Sequence, residues 1–296
     1  MTRDVDMTDH VTVRVPATSA NLGSGFDCLG LALSITAGVT ISLRPLEAGG
    51  AHPMIVGAVR AGYEAARRAP PSELFVSISG DLPVARGLGA SAAFRAAGLL
   101  AANELMGGPL SSDQLLAIGA SLEGHADNIA PALFGGLQIV VREGETWHRL
   151  AVPLPDGLKV VLLVPDFEMP TAQSRRKLPQ HIAREDAVFN VGRAALLVTA
   201  LSQGRWELLD VATQDKLHQP ARAEIFPALY DIFAAAKDAG ARAAYLSGGG
   251  STVAALATQD EERIARLMQQ AAIARGYSAR TIITRPSAEG AQVVEG

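Results

Sequence analysis

Hydrophobic and polar positions along the chain predict a mixture of strands and helices. Apolar side chains alternate with polar ones over 11–17, as in a strand that ends at Pro16, and 31–43 has the composition of a longer strand. Apolar residues at helical spacing over 56–69 indicate a helix that ends before two prolines. Further strands are predicted at 73–79, 137–143, 159–165, 241–247, 252–257 and 279–285, and further helices up to Met106 and at 111–124, 182–202, 207–217, 226–240 and 260–276.

The order of these elements predicts an α+β fold in two halves. Strands and helices follow one another without strict alternation, which favours helices packed in a layer against antiparallel sheets. The Pro-Leu-Pro-Asp-Gly segment at 153–157 is the predicted boundary. We therefore expect a loose tail at 1–9, a first domain over 10–155 and a second over 156–296.

Composition narrows the class of protein. The 296 residues are 48% hydrophobic and 19% charged, enough apolar material to exclude general disorder. The net charge of -4 disfavours a nucleic acid partner, and no apolar run is long enough to predict a membrane partner. A single cysteine, Cys28, excludes an internal disulfide framework, and the polar N-terminus does not resemble a secretory signal. We expect a cytoplasmic protein.

Glycine is abundant, with 29 residues, and three clusters carry the candidate chemistry. The first, 16–27, lies between two predicted strands and presents Asn21 and Asp27, although a tight hairpin explains it equally well. The third, 247–253, joins two predicted strands, where small residues allow a ligand to approach the backbone; a plain hairpin is the alternative.

The second cluster, 83–93, opens a helix and predicts an anion site. Unpaired amide groups and the helix dipole at such a position favour phosphate, and the Ser91 hydroxyl is placed to cap the helix or to ligate Mg²⁺. An ordinary glycine turn is the alternative. No Gly-Lys pair occurs, which excludes a P-loop ATPase, and only weak matches to a dinucleotide fingerprint at 87–92 and to a nucleophile elbow at 89–93 remain.

Polar residues are concentrated between the second and third clusters, in Glu123-Gly-His-Ala-Asp-Asn128. A carboxylate here is able to complete a Mg²⁺ shell with Ser91, whereas a helix end capped by Gly124 is the structural alternative. The other five histidines are scattered without the spacing of a zinc site.

Taken in this order, the three clusters resemble the GHMP kinase superfamily, which includes galactokinases, mevalonate kinases and homoserine kinases. The segments VPATSANLGSGFDCLGLAL (15–33), EGHADNIAPALFGGL (123–137), MPTAQSRRKLP (169–179), AVFNVGRAALL (187–197) and LHQPARAEIFPAL (217–229) are similar to those of its homoserine kinases. The resemblance extends over about 11–257.

The resemblance implies ATP-dependent, Mg²⁺-dependent phosphorylation of L-homoserine in threonine biosynthesis, with a ferredoxin-like second domain and a homodimer. Ser91 and Glu123 would hold Mg²⁺, and Asp27, Asn128 and Thr171 would be catalytic, Asp27 as a general base or as an orienting group. The ATP phosphates would lie on Pro83, Val84, Ala85, Arg86, Gly87, Leu88, Gly89, Ala90, Ser91, Ala92 and Ala93. The amino acid would contact Asn21, Asp27, His125, Asn128, Arg175, Arg222 and Gly249.

Physical chemistry agrees with the amino-acid site, because a guanidinium suits the carboxylate and Asp27 or the Asn21 oxygen suits the ammonium. On the residues alone, both arginines would instead be expected at the surface. Ala90, Gly249 and Ser251 depart from the family's usual Ser, Ser and Pro. Two alternatives remain, a kinase for another small alcohol, such as mevalonate or a sugar, and a non-catalytic ligand sensor on the same fold.

Overall fold

The computed structural model describes residues 9–47, 49–50, 52–80 and 82–295, without the side chain of Thr171. Of the tail expected at 1–9, residues 1–8 lie outside these ranges. Two antiparallel sheets carry the strands β1 His10–Ala20, β2 Leu29–Ser42, β3 Phe75–Ser79, β4 Leu137–Glu143, β5 Thr146–Val152, β6 Lys159–Pro165, β7 Ala243–Leu246, β8 Val253–Ala257, β9 Ala279–Thr284 and β10 Gln292–Glu295.

The helices of the described residues pack on these sheets or on one another. They are α1 Pro53–Ala65, α2 Ala90–Leu105, α3 Ser112–Glu123, α4 Ile129–Phe134, α5 Thr171–Arg176, α6 Arg184–Gln203, α7 Leu209–Ala212, α8 Gln219–Ala223, α9 Leu229–Asp238 and α10 Glu261–Ala274, with a 3₁₀ turn at Trp206–Leu208. None of the described helices is long and apolar enough to cross a bilayer.

The first sheet has the order β10-β1-β2-β4-β5, and β3 pairs with the far end of β2. The sequence predicted that the first strand ends at Pro16, but β1 continues to Ala20. Pro16 pairs with Thr36 and Ala17 with Leu33, so a bulge in the register accommodates the proline. The extra length carries β1 to the edge of the first glycine cluster.

The second sheet has the order β7-β8-β6-β9, the arrangement of a ferredoxin-like fold. β6 is buried on both faces because alternate side chains enter different cores. Val161 and Leu163 belong to the core with α9 and α10, whereas Val160 and Leu162 join the core of the first half. The two halves therefore share apolar packing through β6.

The last strand does not stay in the second half. β10 pairs with β1 in the first sheet, so the expected second domain, 156–296, ends with a strand that belongs to the other half. Its pattern of four residues is too short to be assigned to a sheet from the sequence.

A second difference concerns 207–217, predicted as a helix. Helical structure ends at Ala212, because the Asp215 carboxylate accepts hydrogen bonds from the amides of Leu217, His218 and Gln219. A side chain that binds nearby amides in this way competes with helical hydrogen bonds. The resulting turn leads into α8.

Gly30 marks the closest approach between β2 and the loop before α4. A Cβ atom at Gly30 would lie 1.7 Å from the carbonyl oxygen of Asp127, whereas one at Gly57, exposed in α1, would have no neighbour within 4 Å. Glycine is therefore required by packing at one position and is dispensable at the other.

We expect Gly30→Ala to lower the free energy of unfolding by about 1–3 kcal/mol through overpacking. The matched substitution Gly57→Ala should raise it by up to about 1 kcal/mol, because alanine is the better helix former. Urea unfolding followed by circular dichroism measures both. Equal effects of the two substitutions would contradict the packing described here.

Candidate active site

The three glycine clusters meet through hydrogen bonds of their backbones. Thr18 N–H donates to the Leu88 carbonyl at 3.0 Å, and Gly248 N–H donates to the Ala20 carbonyl at 3.0 Å. The Ser247 hydroxyl donates to the Gly87 carbonyl at 2.6 Å. Segments more than 150 residues apart in sequence, such as Gly87 and Ser247, thus form one structural unit.

A cavity of about 90 Å³ opens where these clusters meet. A larger cavity of about 540 Å³ lies near the 153–159 linker and contains none of the predicted site residues. The smaller cavity is lined by Asn21, Asp27, Ala85, Gly87, Leu88, Gly89, Ala90, Ser91, Ala92, Glu123, His125, Asp127, Asn128, Arg175, Arg222, Gly248 and Gly249.

On one side of the cavity, the second glycine cluster at 83–93, the predicted phosphate loop, bends into α2. Gly87 and Gly89 have φ values of +78° and +66°, which L side chains rarely adopt. A Cβ at Gly89 would lie 1.8 Å from Thr18 Oγ1, and one at Gly87 would lie 2.2 Å from the Ser247 carbonyl oxygen. No described side chain caps the helix that follows, so the first amide groups of α2 remain available to an anion.

Ser91 does not cap α2 but reaches a carboxylate across the cavity. Its hydroxyl donates to Glu123 Oε1 at 2.6 Å, and Arg95 forms an ion pair with the same oxygen. Glu123 ends α3, and its side chain is only 9% exposed. Among the described residues, no three His, Cys, Asp or Glu side chains are grouped as a metal site. This hydroxyl and carboxylate therefore form a partial donor set that fits a cation shared with phosphate oxygens.

Asp27 and Arg175, which also line the cavity, form a bidentate ion pair. Arg175 Nη1 and Nη2 donate to the two carboxylate oxygens at 2.7 and 2.8 Å. The hydrogen bond to Asp27 raises the pKa of Arg175 above its ordinary value. Asp27 also has a φ of +58°, so its backbone is held in a conformation that non-glycine residues seldom adopt.

Arg222 is fully buried rather than at the surface, as its residue type alone would suggest. Its Nε donates to the Ser174 hydroxyl at 2.7 Å, and its Nη1 contacts His218 Nδ1 at 2.6 Å and the Gly248 carbonyl at 3.1 Å. Burial lowers the pKa of Arg222 to about 10, with a smaller contribution from the charge of Arg175. Its Nη2 forms no hydrogen bond within the described chain, and the residue lines the cavity.

His125 and Asn128 border the cavity beside a buried carboxylate. His125 Nδ1 donates to Asp127 Oδ1 at 2.5 Å, and the Asn128 side-chain oxygen accepts from Thr18 Oγ1 at 2.7 Å. Burial lowers the pKa of His125, but the hydrogen bond to Asp127 and its charge outweigh burial and raise the pKa overall. Asp127 therefore stabilises the protonated form of His125 relative to a free imidazole.

Asn21 and Gly249 also line the cavity, but each is already engaged with other parts of the protein. The Asn21 amide donates to the Gly248 carbonyl at 2.9 Å, and its oxygen accepts from Asp27 N–H at 2.9 Å. The Gly249 carbonyl accepts from the Ser174 hydroxyl at 3.0 Å. Their contact with an amino acid stays a prediction.

Some predicted residues are not brought to the cavity. Pro83, Val84 and Arg86 line a different surface cleft, where Arg86 Nη2 donates to the Asp166 carbonyl at 2.7 Å. Ala93 is buried in the core behind the loop. Thr171 begins α5, and its side chain lies outside the described part of the structure.

Several residues at the site were missed by the sequence analysis: Thr18, Arg95, Ser174, His218 and Gly248. The spacing of His218 and Arg222, four residues apart, places both on one face of a helical turn, which was an available signal. The contacts of Ser174 and Arg95 depend on tertiary packing and have no local sequence signature.

Comparison with known proteins identifies the family. Family models match residues 54–136 (GHMP kinases N terminal domain) and 197–274 (GHMP kinases C terminal). A homoserine kinase from Moorella thermoacetica is 39% identical over 95% of this chain and 99% of its own. The chain belongs to the GHMP kinase family, among the homoserine kinases. GHMP kinases transfer a phosphoryl group from ATP, and this chain is such an enzyme.

Other homoserine kinases agree in sequence and in structure. One from Thermus thermophilus is 41% identical over 91% of this chain and 94% of its own. The crystal structure of a homoserine kinase from Cytophaga hutchinsonii has a TM-score of 0.84 at 27% identity and covers 99% of this chain and 100% of its own. The predicted two-part GHMP kinase fold is thereby confirmed.

The single cysteine of this GHMP kinase gives a chemical probe of the site. Burial raises the pKa of Cys28 to about 11, with smaller contributions from the charges of Asp127 and Asp27. At about pH 8, an ordinary thiol near pKa 8.5 is about one quarter thiolate, whereas this thiol is about a thousandth ionised.

We therefore expect iodoacetamide to alkylate Cys28 in the native protein at least about a hundredfold more slowly than in the urea-unfolded chain, because only the thiolate reacts. Mass spectrometry at timed intervals measures the rate. Native and unfolded rates that agree within a few fold would show that the thiol is neither buried nor surrounded by negative charge.

Proposed function

We propose that this kinase transfers the γ-phosphoryl group of ATP to the hydroxyl of L-homoserine, giving O-phospho-L-homoserine for threonine biosynthesis. The observation that carries the proposal is the juxtaposition of an uncapped helix N-terminus with oppositely charged side chains in one cavity. Asp27 supplies a negative group, and Arg175 and Arg222 supply positive groups, a pattern complementary to a zwitterionic amino acid.

The phosphate loop is suited to the nucleotide. Backbone amides of 87–92 would hold its phosphates, since no described side chain competes at the start of α2. Such donors stabilise developing negative charge without reorganisation during the reaction. Leu88 is buried and fixes the loop from behind.

The hydroxyl of Ser91 and the carboxylate of Glu123 are the proposed holders of Mg²⁺. Their 2.6 Å contact shows that both oxygens reach the same point beside the phosphate loop. Held by these two residues, Mg²⁺ would supply positive charge that offsets the negative charge of the phosphates. Arg95 forms an ion pair with the same Glu123 oxygen and so restrains the carboxylate.

The acceptor would lie between the Asp27 carboxylate and the two arginines. Arg222 Nη2 is available for the substrate carboxylate, because its other nitrogens are occupied by Ser174, His218 and Gly248. Arg175, 40% exposed, can exchange its contact with Asp27 for one with the substrate. Asp27 is then left to receive the ammonium or the acceptor hydroxyl, where its negative charge orients the nucleophile or accepts its proton.

His125, Asn128 and Thr171 complete the proposed acceptor side. His125 is held by the buried Asp127 at the edge of the cavity, and Thr18 donates to the Asn128 side-chain oxygen and so fixes its orientation. We further infer a cytoplasmic homodimer without a nucleic acid or membrane partner, an inference supported by the resemblance, the unpaired Cys28 and the net charge of -4.

A panel of acceptors tests the proposed substrate. A coupled assay of ADP release compares four acceptors. They are L-homoserine, 3-aminopropan-1-ol, which lacks the carboxylate, mevalonate, which lacks the ammonium, and galactose, which lacks both. We expect homoserine to exceed each of the others in kcat/KM by about 10⁴-fold, because a site with buried charged partners rejects ligands that leave them unpaired. Brisk turnover of another alcohol without turnover of homoserine would refute the assignment.

Substitution of Glu123 tests the metal assignment. We expect Glu123→Gln to raise the Mg²⁺ concentration required for half-maximal activity by about 10- to 100-fold, because a charged ligand is lost. Glu104→Gln, an exposed position at the other end of α2, is the matched control and should leave the titration unchanged. An unchanged Mg²⁺ titration in Glu123→Gln would remove Glu123 from the metal site.

A further inference from the structure

His218 lies beneath the acceptor side of the cavity and does not line it. It is fully buried, directly before α8, and both ring nitrogens have partners. Nε2 lies 2.7 Å from the Gly23 carbonyl oxygen, and Nδ1 lies 2.6 Å from Arg222 Nη1. The ring also stacks on Phe26, with centroids 5.2 Å apart.

These partners determine where the imidazole carries its proton. A carbonyl oxygen only accepts hydrogen bonds, so Nε2 must donate to Gly23. A guanidinium only donates, so Nδ1 must accept from Arg222. The ring is therefore neutral and in a single tautomer. Burial agrees with this assignment, since it lowers the pKa of His218 to about 4.

The contact with His218 constrains the guanidinium of Arg222. Ser174 accepts from Nε at 2.7 Å, while His218 and the Gly248 carbonyl accept from Nη1. These acceptors fix the plane of the guanidinium and leave Nη2 for the cavity. His218 is the only aromatic ring among them, and its own position is fixed by its bond to Gly23.

The other end of the imidazole contacts the loop that carries Asp27. Gly23 belongs to the first glycine cluster, and this loop is also attached to the second half by the Ser24 hydroxyl, which donates to the Ala212 carbonyl at 2.7 Å. Asp215 accepts from the amide of His218 at 2.9 Å and so holds the residue in place. His218 thus spans the distance between the Asp27 loop and Arg222.

We propose that His218 is a positioning residue for recognition of the acceptor carboxylate: its neutral imidazole fixes Arg222 relative to the loop that carries Asp27. The inference rests on the proposed function and extends it to a side chain that does not touch substrate. It predicts selective weakening of acceptors that bear a carboxylate, with little effect on ATP, because the phosphate loop makes no contact with the imidazole.

Three variants test the two hydrogen bonds of the imidazole separately. His218→Phe keeps an aromatic ring but removes both hydrogen bonds. His218→Asn keeps an acceptor oxygen close to the position of Nδ1, and His218→Gln keeps a donor that reaches toward Gly23. Steady-state constants are measured for homoserine, ATP and 3-aminopropan-1-ol, with urea midpoints to verify that each variant is folded.

We expect His218→Phe to raise the KM for homoserine by about 10- to 100-fold, as for loss of a buried hydrogen bond to a charged group. The KM for ATP and the kcat/KM for 3-aminopropan-1-ol should stay within about threefold of the wild type, and kcat should fall less than KM rises. His218→Asn should recover more of the homoserine affinity than His218→Gln, because it retains the acceptor for Arg222.

Equal losses for homoserine, ATP and 3-aminopropan-1-ol would overturn the proposal, since they would indicate a purely structural role. If His218→Phe does not fold, the order of the Asn and Gln variants decides, and a Gln variant equal to or better than Asn overturns the proposal. Wild-type protein that fails to phosphorylate homoserine would refute the proposed function first, and this inference with it.

Discussion

The site depends on the hydrogen-bonded contact between the three glycine-rich segments. Carbonyl groups of Ala20, Gly87 and Leu88 accept from Gly248 N–H, Ser247 Oγ and Thr18 N–H, respectively. These bonds need backbones that approach without intervening side chains, which only glycine allows at Gly87 and Gly89. The predicted phosphate loop and the proposed acceptor side are therefore held at a fixed separation, as preorganised catalysis requires.

Buried polar groups on the acceptor side are tolerable because they satisfy one another. Asn190 donates to Asp215 at 2.7 Å, Asp215 accepts from three backbone amides, and His218 joins Arg222 to Gly23. A buried guanidinium without such partners would be strongly destabilising. The network thus retains the Arg222 guanidinium in the interior, where the residue lines the cavity.

Much of this arrangement was predictable from the sequence. Long strands and helices with regular periodicity, such as β2, α2 and α10, occur where the pattern places them, and the glycine clusters do converge. The return of β10 to β1, the turn around Asp215 and the distant cleft occupied by Arg86 were not predictable. These features depend on long-range contacts or, at Asp215, on a side chain that competes with local helical hydrogen bonds. Such interactions leave no periodic signal in the sequence.

The three departures from the family pattern favour a working kinase over a ligand sensor. Ala90 is buried at the start of α2 and lacks only a hydroxyl, while the backbone donors of the loop stay in place. The Gly249 carbonyl still accepts from Ser174, and the Ser251 hydroxyl donates to the Phe167 carbonyl at 2.7 Å. None of these changes removes a charged group from the cavity, whereas Asp27, Ser91 and Glu123 remain within it. The proposed Mg²⁺ site of Ser91 and Glu123, beside the uncapped N-terminus of α2, suits phosphoryl transfer, whereas ligand binding alone requires no metal.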